Sequence, residues 1–130
     1  MADIVSTQVI SDTSGVKYTL KLTNISDGSG ESLVKKIDAS ATTFMTEDAN
    51  RKIAKIWFSV NTTNPKACVE LVWDGATQST ALILGGNGFW NLRDNVNEIL
   101  NNAITPTGDV MLNTKNFTNS DNYTIIVEFR

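Results

Sequence analysis

Residues 16–23, Val16-Lys17-Tyr18-Thr19-Leu20-Lys21-Leu22-Thr23, alternate without a break: Val16, Tyr18, Leu20 and Leu22 fall on one side, Lys17, Thr19, Lys21 and Thr23 on the other. A period of two is the spacing of a strand, whose successive side chains point to opposite faces; a helix repeats about every 3.6 residues and would scatter these groups. The stretch predicts a strand with one core face and one wet face, the pattern of an antiparallel sheet. The same alternation recurs in 54–60, through Ala54, Ile56, Phe58 and Val60, and in 67–73, through Ala67, Val69, Leu71 and Trp73. Between them Asn61-Thr62-Thr63-Asn64-Pro65-Lys66 is dense in turn formers, so these two runs are expected to make a β-hairpin. Near the end of the chain Tyr123, Ile125, Val127 and Phe129 alternate with Asn122, Thr124, Glu128 and Arg130. Ile126 interrupts the polar side, which predicts that this last strand is partly covered on both faces.

Weaker strand patterns over 4–10, 32–38, 79–84 and 108–114 bring the expected total to about eight. Turn clusters separate them: Ser26-Asp27-Gly28-Ser29-Gly30, Trp73-Asp74-Gly75, Gly85-Gly86-Asn87-Gly88 and Thr107-Gly108-Asp109. The prediction is an all-β fold, an antiparallel β-sandwich or jelly roll of about eight strands. At most one or two short helical turns fit beside them. One is expected over 46–52, where Thr46-Glu47-Asp48 resembles a helix start, and one over 95–102, where Val96, Ile99 and Leu100 share a face. The 130 residues form a single domain, 1–130, with no repeat, linker or low-complexity block. Composition agrees, since 16 Thr, 14 Asn and 10 Ser accompany only 19% charged residues, a bias toward strands and turns and away from helices.

The same composition removes function classes. There is no histidine, and Cys68 is the only cysteine. Ser-His-Asp and Cys-His nucleophile systems and His-ligated zinc are therefore impossible within the chain, as is an intramolecular disulfide. A net charge of −3 with a pI near 4.8 argues against nucleic acid as a partner. No apolar run reaches the roughly 18 residues of a membrane span, and the first ten residues lack the basic start of a secretory signal. A chain made and kept in the cytoplasm is expected, unless it leaves within a larger assembly. The carboxylates Asp27, Glu31, Asp38, Glu47, Asp48, Asp74, Asp94 and Glu98 show no catalytic pairing, and Asp27, Asp74 and Asp109 sit beside glycines as turn acceptors. Asp27-Gly28-Ser29-Gly30-Glu31 lacks the alternating ligands of a calcium loop. Gly85-Gly86-Asn87-Gly88 lacks the Lys-Ser/Thr of a phosphate loop and reads as a flexible turn. Cys68 reads as a packing residue. No catalytic residue, metal site or cofactor is expected.

Aromatic and aliphatic side chains on polar sides remain. Trp73 fits the core face of its strand, whereas Trp57 lies opposite Ile56 and Phe58, and Trp90 follows Phe89 in the Gly-rich segment. Ile4, Val5, Val9 and Ile10 give the N-terminal segment an apolar character suited to adding a strand to a neighbour. Together with Trp57, Phe89 and Trp90 they are the candidate interface.

Four stretches taken in order, Ala2-Asp3-Ile4-Val5-Ser6-Thr7-Gln8-Val9-Ile10, Leu71-Val72-Trp73-Asp74-Gly75-Ala76-Thr77, Asn101-Asn102-Ala103 with Thr107-Gly108-Asp109, and Tyr123-Thr124-Ile125-Ile126-Val127-Glu128, resemble a family of small tailed-bacteriophage virion structural proteins. The similarity spans nearly the whole chain. It implies a non-enzymatic β-sandwich on the virion, foremost a capsid cement or decoration protein. Its partners would be the major capsid protein or other virion proteins, and it would be homo-oligomeric or lattice-bound. A place in the neck, tail or fibre base is the alternative within that class, and a carbohydrate-binding module the alternative outside it.

Overall fold

The computed structural model describes residues 3–13, 16–48, 50–92 and 98–130. Among the described residues there are nine strands: β1 (Ile4–Thr13), β2 (Lys17–Asp27), β3 (Val34–Ile37), β4 (Ile53–Asn61), β5 (Cys68–Thr77), β6 (Ser79–Leu84), β7 (Gly86–Asn91), β8 (Ile104–Lys115) and β9 (Asn119–Phe129). A 3-10 turn at Ala39–Ala41 and a short helix, α1 (Thr43–Glu47), join β3 to β4. The strands make two antiparallel sheets, one of five in the order β1-β2-β9-β4-β7 and one of four in the order β3-β8-β5-β6.

The pairings nest. β2 pairs with β9, β3 with β8, β4 with β7 and β5 with β6, as if the chain were first folded in half between β5 and β6 and the double strand then rolled into two sheets. That is the topology of an eight-stranded jelly roll, with β1 added at one edge. The inner faces meet in one core. Leu20, Leu22, Ile56, Val60, Ile125, Val127 and Phe129 come from the larger sheet, and Ile37, Val69, Leu71, Trp73, Leu84, Val110 and Leu112 from the smaller. Trp73 is 1% exposed and meets the Phe129 ring edge-on at 6.1 Å. Phe44 and Met45 of α1 plug one end of the core; Phe44 stacks on Tyr18 and carries the Arg51 guanidinium 3.8 Å above its ring.

The all-β architecture and the strands seeded by 16–23, 54–60, 67–73 and 123–129 are present, with four differences. First, 54–60 and 67–73 are not a hairpin: β4 and β5 belong to different sheets, and Asn61–Lys66 crosses between them. Both strands bury their apolar faces against each other across the core, which satisfies the same alternation as hydrogen bonding side by side. Second, Gly85–Gly88 is not a loose turn but leads into a ninth strand, β7. An added Cβ on Gly88 would lie 2.6 Å from Phe58 Cζ, so glycine is what lets β7 lie flush on β4. Third, the helix begins at Thr43, because Thr42 caps it by accepting from the Met45 amide at 3.0 Å. Fourth, the turn expected over 95–102 falls partly outside the described residues; its described part is not helical, and Ile99 bridges Ile53.

A polar cluster closes one end of the sandwich. The Tyr123 hydroxyl and the Asn24 amide both donate to Glu31 Oε1, each at 2.6 Å, and Lys36 Nζ pairs with Glu31 Oε2. A bulge between Lys35 and Ile37 turns the intervening Lys36 inward, a common use of an extra residue in a strand. The Lys36 and Glu31 side chains are only 4% and 5% exposed. Burial, and then the Glu31 carboxylate, push the Tyr123 phenol well above its ordinary value. Asp121 accepts from the amides of Thr118 and Thr63 at 2.8 and 3.1 Å, tying the β8–β9 turn to the β4–β5 crossing.

Candidate interaction surface

The five-stranded sheet is wider than its partner, and its two edge strands reach past the core. On β1, Val5 lies opposite Asn24 and Val9 opposite Leu20, so both point to the core side of the sheet, yet they remain exposed because no strand of the smaller sheet lies under them. Ile4 pairs with Ile25 on the outer face. Ile10 is the extra residue where the register shifts between Val9 and Ser11. At the other edge, Phe89 lies opposite Trp57 on the outer face and Trp90 opposite Ile56 on the inner one. Trp90 packs edge-on against Phe58 at 5.5 Å.

All seven candidate side chains are at the surface, from 39% exposed for Trp57 to 64% for Ile4. They do not form one patch. β1 and β7 are the opposite edges of the sheet, four strand spacings or about 19 Å apart.

Register builds one continuous feature on the outer face. Lys21 faces Ile126, Ile126 faces Trp57, and Trp57 faces Phe89, so a single row crosses β2, β9, β4 and β7. Its apolar part is Ile126, Trp57 and Phe89, with the two rings stacked at 4.8 Å and 19°. The neighbouring row on one side is Thr23, Thr124, Ser59 and Asn87; on the other it is Thr19, Glu128, Lys55 and Asn91. A shallow groove of about 310 Å³ runs between the aromatic row and Ser59, Asn87 and Thr124. A second, of about 470 Å³, lies between Ile4 and Ile25 on one side and Asn122 on the other. Ile126 was legible in the sequence only as an apolar exception; cross-strand register shows that it completes the row.

Among the described residues several carboxylates hold loops and strands, while the candidate Asp94 lies outside the described residues. Thr80, then Asn113 and Lys115, hold Glu70 below the usual carboxylate range. Asp109 accepts from the Ala39 amide at 2.7 Å and pairs with Lys35 at 3.1 Å, so it anchors the 3-10 turn instead of serving only its local bend. The Ser29 hydroxyl and amide lower Asp27 to about 2, and the Gly75 amide donates to Asp74. Cys68 is half-buried on β5. Among the described residues there is no cluster of three or more side chains placed to hold a metal ion. The apolar part of the outer row, Ile126, Trp57 and Phe89, can bury apolar surface and stack on a planar or apolar partner.

Compared with protein-family models, curated proteins and solved structures, the chain matches none.

Proposed function

We propose that the chain is a non-enzymatic structural protein of a tailed-bacteriophage virion, a cement or decoration protein that docks on the outer capsid surface with the major capsid protein as partner. The observation that carries this reading is the row Ile126-Trp57-Phe89, in which exposed Trp57 and Phe89 adjoin half-buried Ile126, flanked on one side by uncharged Thr, Ser and Asn side chains and on the other by a row containing Glu128 and Lys55. Large aromatic side chains, tryptophan above all, are the usual anchors of protein interfaces. Supporting it are the jelly-roll order of the strands, an architecture used by viral capsid and lectin domains, and the resemblance of the ordered sequence stretches. Each contact could be weak, because a lattice of capsid subunits offers many copies, and a protein touching two subunits gains by effective concentration. Bridging contacts of this kind would oppose the outward pressure of packaged DNA.

The test is addition of purified protein to phage heads that lack it, followed by reconstruction. Binding across the capsid lattice is expected, lost in Trp57→Ala/Phe89→Ala while the thermal midpoint changes little. Density confined to the neck, tail or fibre base, at the small fixed copy number of those parts, would move the protein off the capsid. A second reading, a saccharide site, is favoured by the groove in which Trp57 sits beside Ser59, Asn87 and Thr124. Titration with simple saccharides, followed by tryptophan fluorescence, decides it; an unchanged spectrum in the folded protein removes it.

A further inference from the structure

We propose that β1 is a self-pairing edge: two copies of the chain join β1 to β1 in antiparallel register about a two-fold axis at Thr7, making one ten-stranded sheet from two five-stranded ones. This goes beyond the capsid reading and does not depend on it.

The edge strands of the two sheets differ in length. β1 has 10 residues, against 4 for β3 and 6 each for β6 and β7, the other edge strands. An edge strand leaves every second amide and carbonyl pointing outward without a ladder partner, and proteins usually blunt such edges with lysine, proline, a bulge or shortness. Over Ile4–Val9 β1 has none of these defences, for that stretch carries no charged residue and no proline and pairs in regular register. Its only irregularity is the bulge between Val9 and Ser11, which ends the regular edge after Val9.

What identifies the occupant is the sequence of that edge read against itself. Ile4-Val5-Ser6-Thr7-Gln8-Val9-Ile10 has the same pattern of side-chain character in both directions. Antiparallel pairing centred on Thr7 sets Val5 opposite Val9 of the second copy, Ser6 opposite Gln8, Thr7 opposite Thr7, and Ile4 opposite Ile10 where the bulge begins. Every apolar group meets an apolar group and every polar group a polar one, as cross-strand pairing favours. The charges also permit it: Asp3 would meet Ser11, so no like charges confront each other. A slip of one residue would break the match, setting Val5 opposite Gln8 in one direction and Ser6 opposite Val9 in the other, and so putting unlike groups together.

The overhang supplies the room. Because the smaller sheet does not extend under β1, the two copies approach edge to edge without their second sheets colliding, and Val5 and Val9, 43% and 51% exposed in the single chain, become two valine pairs that flank the Thr7 pair on the two-fold. Such an interface is isologous, each copy giving and receiving the same contacts.

The test uses the full chain. Sedimentation is expected to show a reversible, concentration-dependent dimer, reduced to monomer by Val5→Lys or Val9→Lys with the circular dichroism unchanged. The register is read by cross-linking. Thr7→Cys should oxidise to a covalent dimer through residue 7, since directly opposed residues have Cα atoms about 4.5–5.5 Å apart, within disulfide range. Gln8→Cys, whose symmetry mate would be a diagonal neighbour, should not link to itself, whereas Ser6→Cys/Gln8→Cys should link 6 to 8; peptide mass mapping separates these bonds from any involving Cys68. A chain that stays monomeric up to millimolar concentration overturns the proposal. So does a dimer indifferent to the lysine variants, or one that cross-links more readily through Gln8→Cys than Thr7→Cys.

Discussion

Removing the charge of Lys36 probes the arrangement that closes the sandwich. The ammonium and the Glu31 carboxylate lie 4% and 5% exposed, and Glu31 also accepts from Tyr123 and Asn24. Lys36→Met leaves a buried carboxylate with two neutral donors; Glu31→Gln leaves a buried ammonium facing an amide. Breaking a buried pair from one side costs about 3–5 kcal/mol, because the remaining ion stays out of water without its partner. Against a typical domain stability of about 5–15 kcal/mol, either single substitution removes a large share. Glu31→Gln/Lys36→Met removes both ions and keeps an amide oxygen for Tyr123, so the double variant should lose no more than either single one, about 2–3 kcal/mol. The assay is urea unfolding followed by tryptophan fluorescence. With a slope near 2 kcal/mol per molar, each single variant shifts the midpoint by about 1.5–2.5 M. The double-mutant cycle then returns a coupling of about 3 kcal/mol or more, far above that of an exposed pair. Single losses under about 1 kcal/mol, or a double variant equal to the sum of the singles, would refute the account of a desolvated, interdependent pair.

Trp73→Ala should cost about 3–5 kcal/mol by emptying a buried aromatic site, whereas Trp73→Phe should cost clearly less, because the buried indole N–H lacks a hydrogen-bond acceptor among the described residues and removing it relieves a desolvation cost; urea midpoints of the two variants decide. Gly75→Ala would bring a Cβ to 2.5 Å from the Ile104 carbonyl oxygen, a backbone atom that cannot swing aside, so a loss of about 2 kcal/mol or more is expected; Gly85→Ala, with nothing within 4 Å, is the control and should unfold at nearly the wild-type temperature. Asp121, held below its ordinary value first by the Thr118 amide, and Glu70, held low by Thr80, both bind protons more weakly in the folded state. Their contribution is therefore complete above the unfolded values near pH 4 and is lost as pH falls through the lower folded ones. Asp121→Asn should flatten the acid limb of stability against pH, and an acid limb identical to wild type would contradict this assignment.

The parts of the fold legible in the chain are those where one strand has a clean inner and outer face. β2 and the apolar runs of β4, β5 and β9 meet that condition, and their large residues are the ones found in the core. β7 fails it, since Gly86-Asn87-Gly88 has poor strand propensity; pairing to β4 and the closeness of Phe58 make it a strand. Turn chemistry at Asn61–Lys66 correctly marks a reversal, but a reversal does not say whether the next strand pairs beside the last or faces it across the core. The surface divides in the same way. Trp57 is readable as an outer-face aromatic from its own strand, while its companions Phe89 and Ile126 are fixed by register with two other strands. The Glu31-Lys36-Tyr123 cluster left no local signal, because Tyr123 lies 92 residues from Glu31 and Lys36 turns inward only through a bulge.

Period-two alternation is a property of the extended backbone over a few residues, so the chain alone determines an all-β fold, the inner faces of its principal strands, and a surface free of histidine and cysteine-pair chemistry. Which strands become neighbours is settled by closing long loops so that every inner face is buried and every ladder is bonded at once. That global condition rolled the chain into nested pairs, set Trp57 between Ile126 and Phe89, and left β1 extending past the smaller sheet with its edge open.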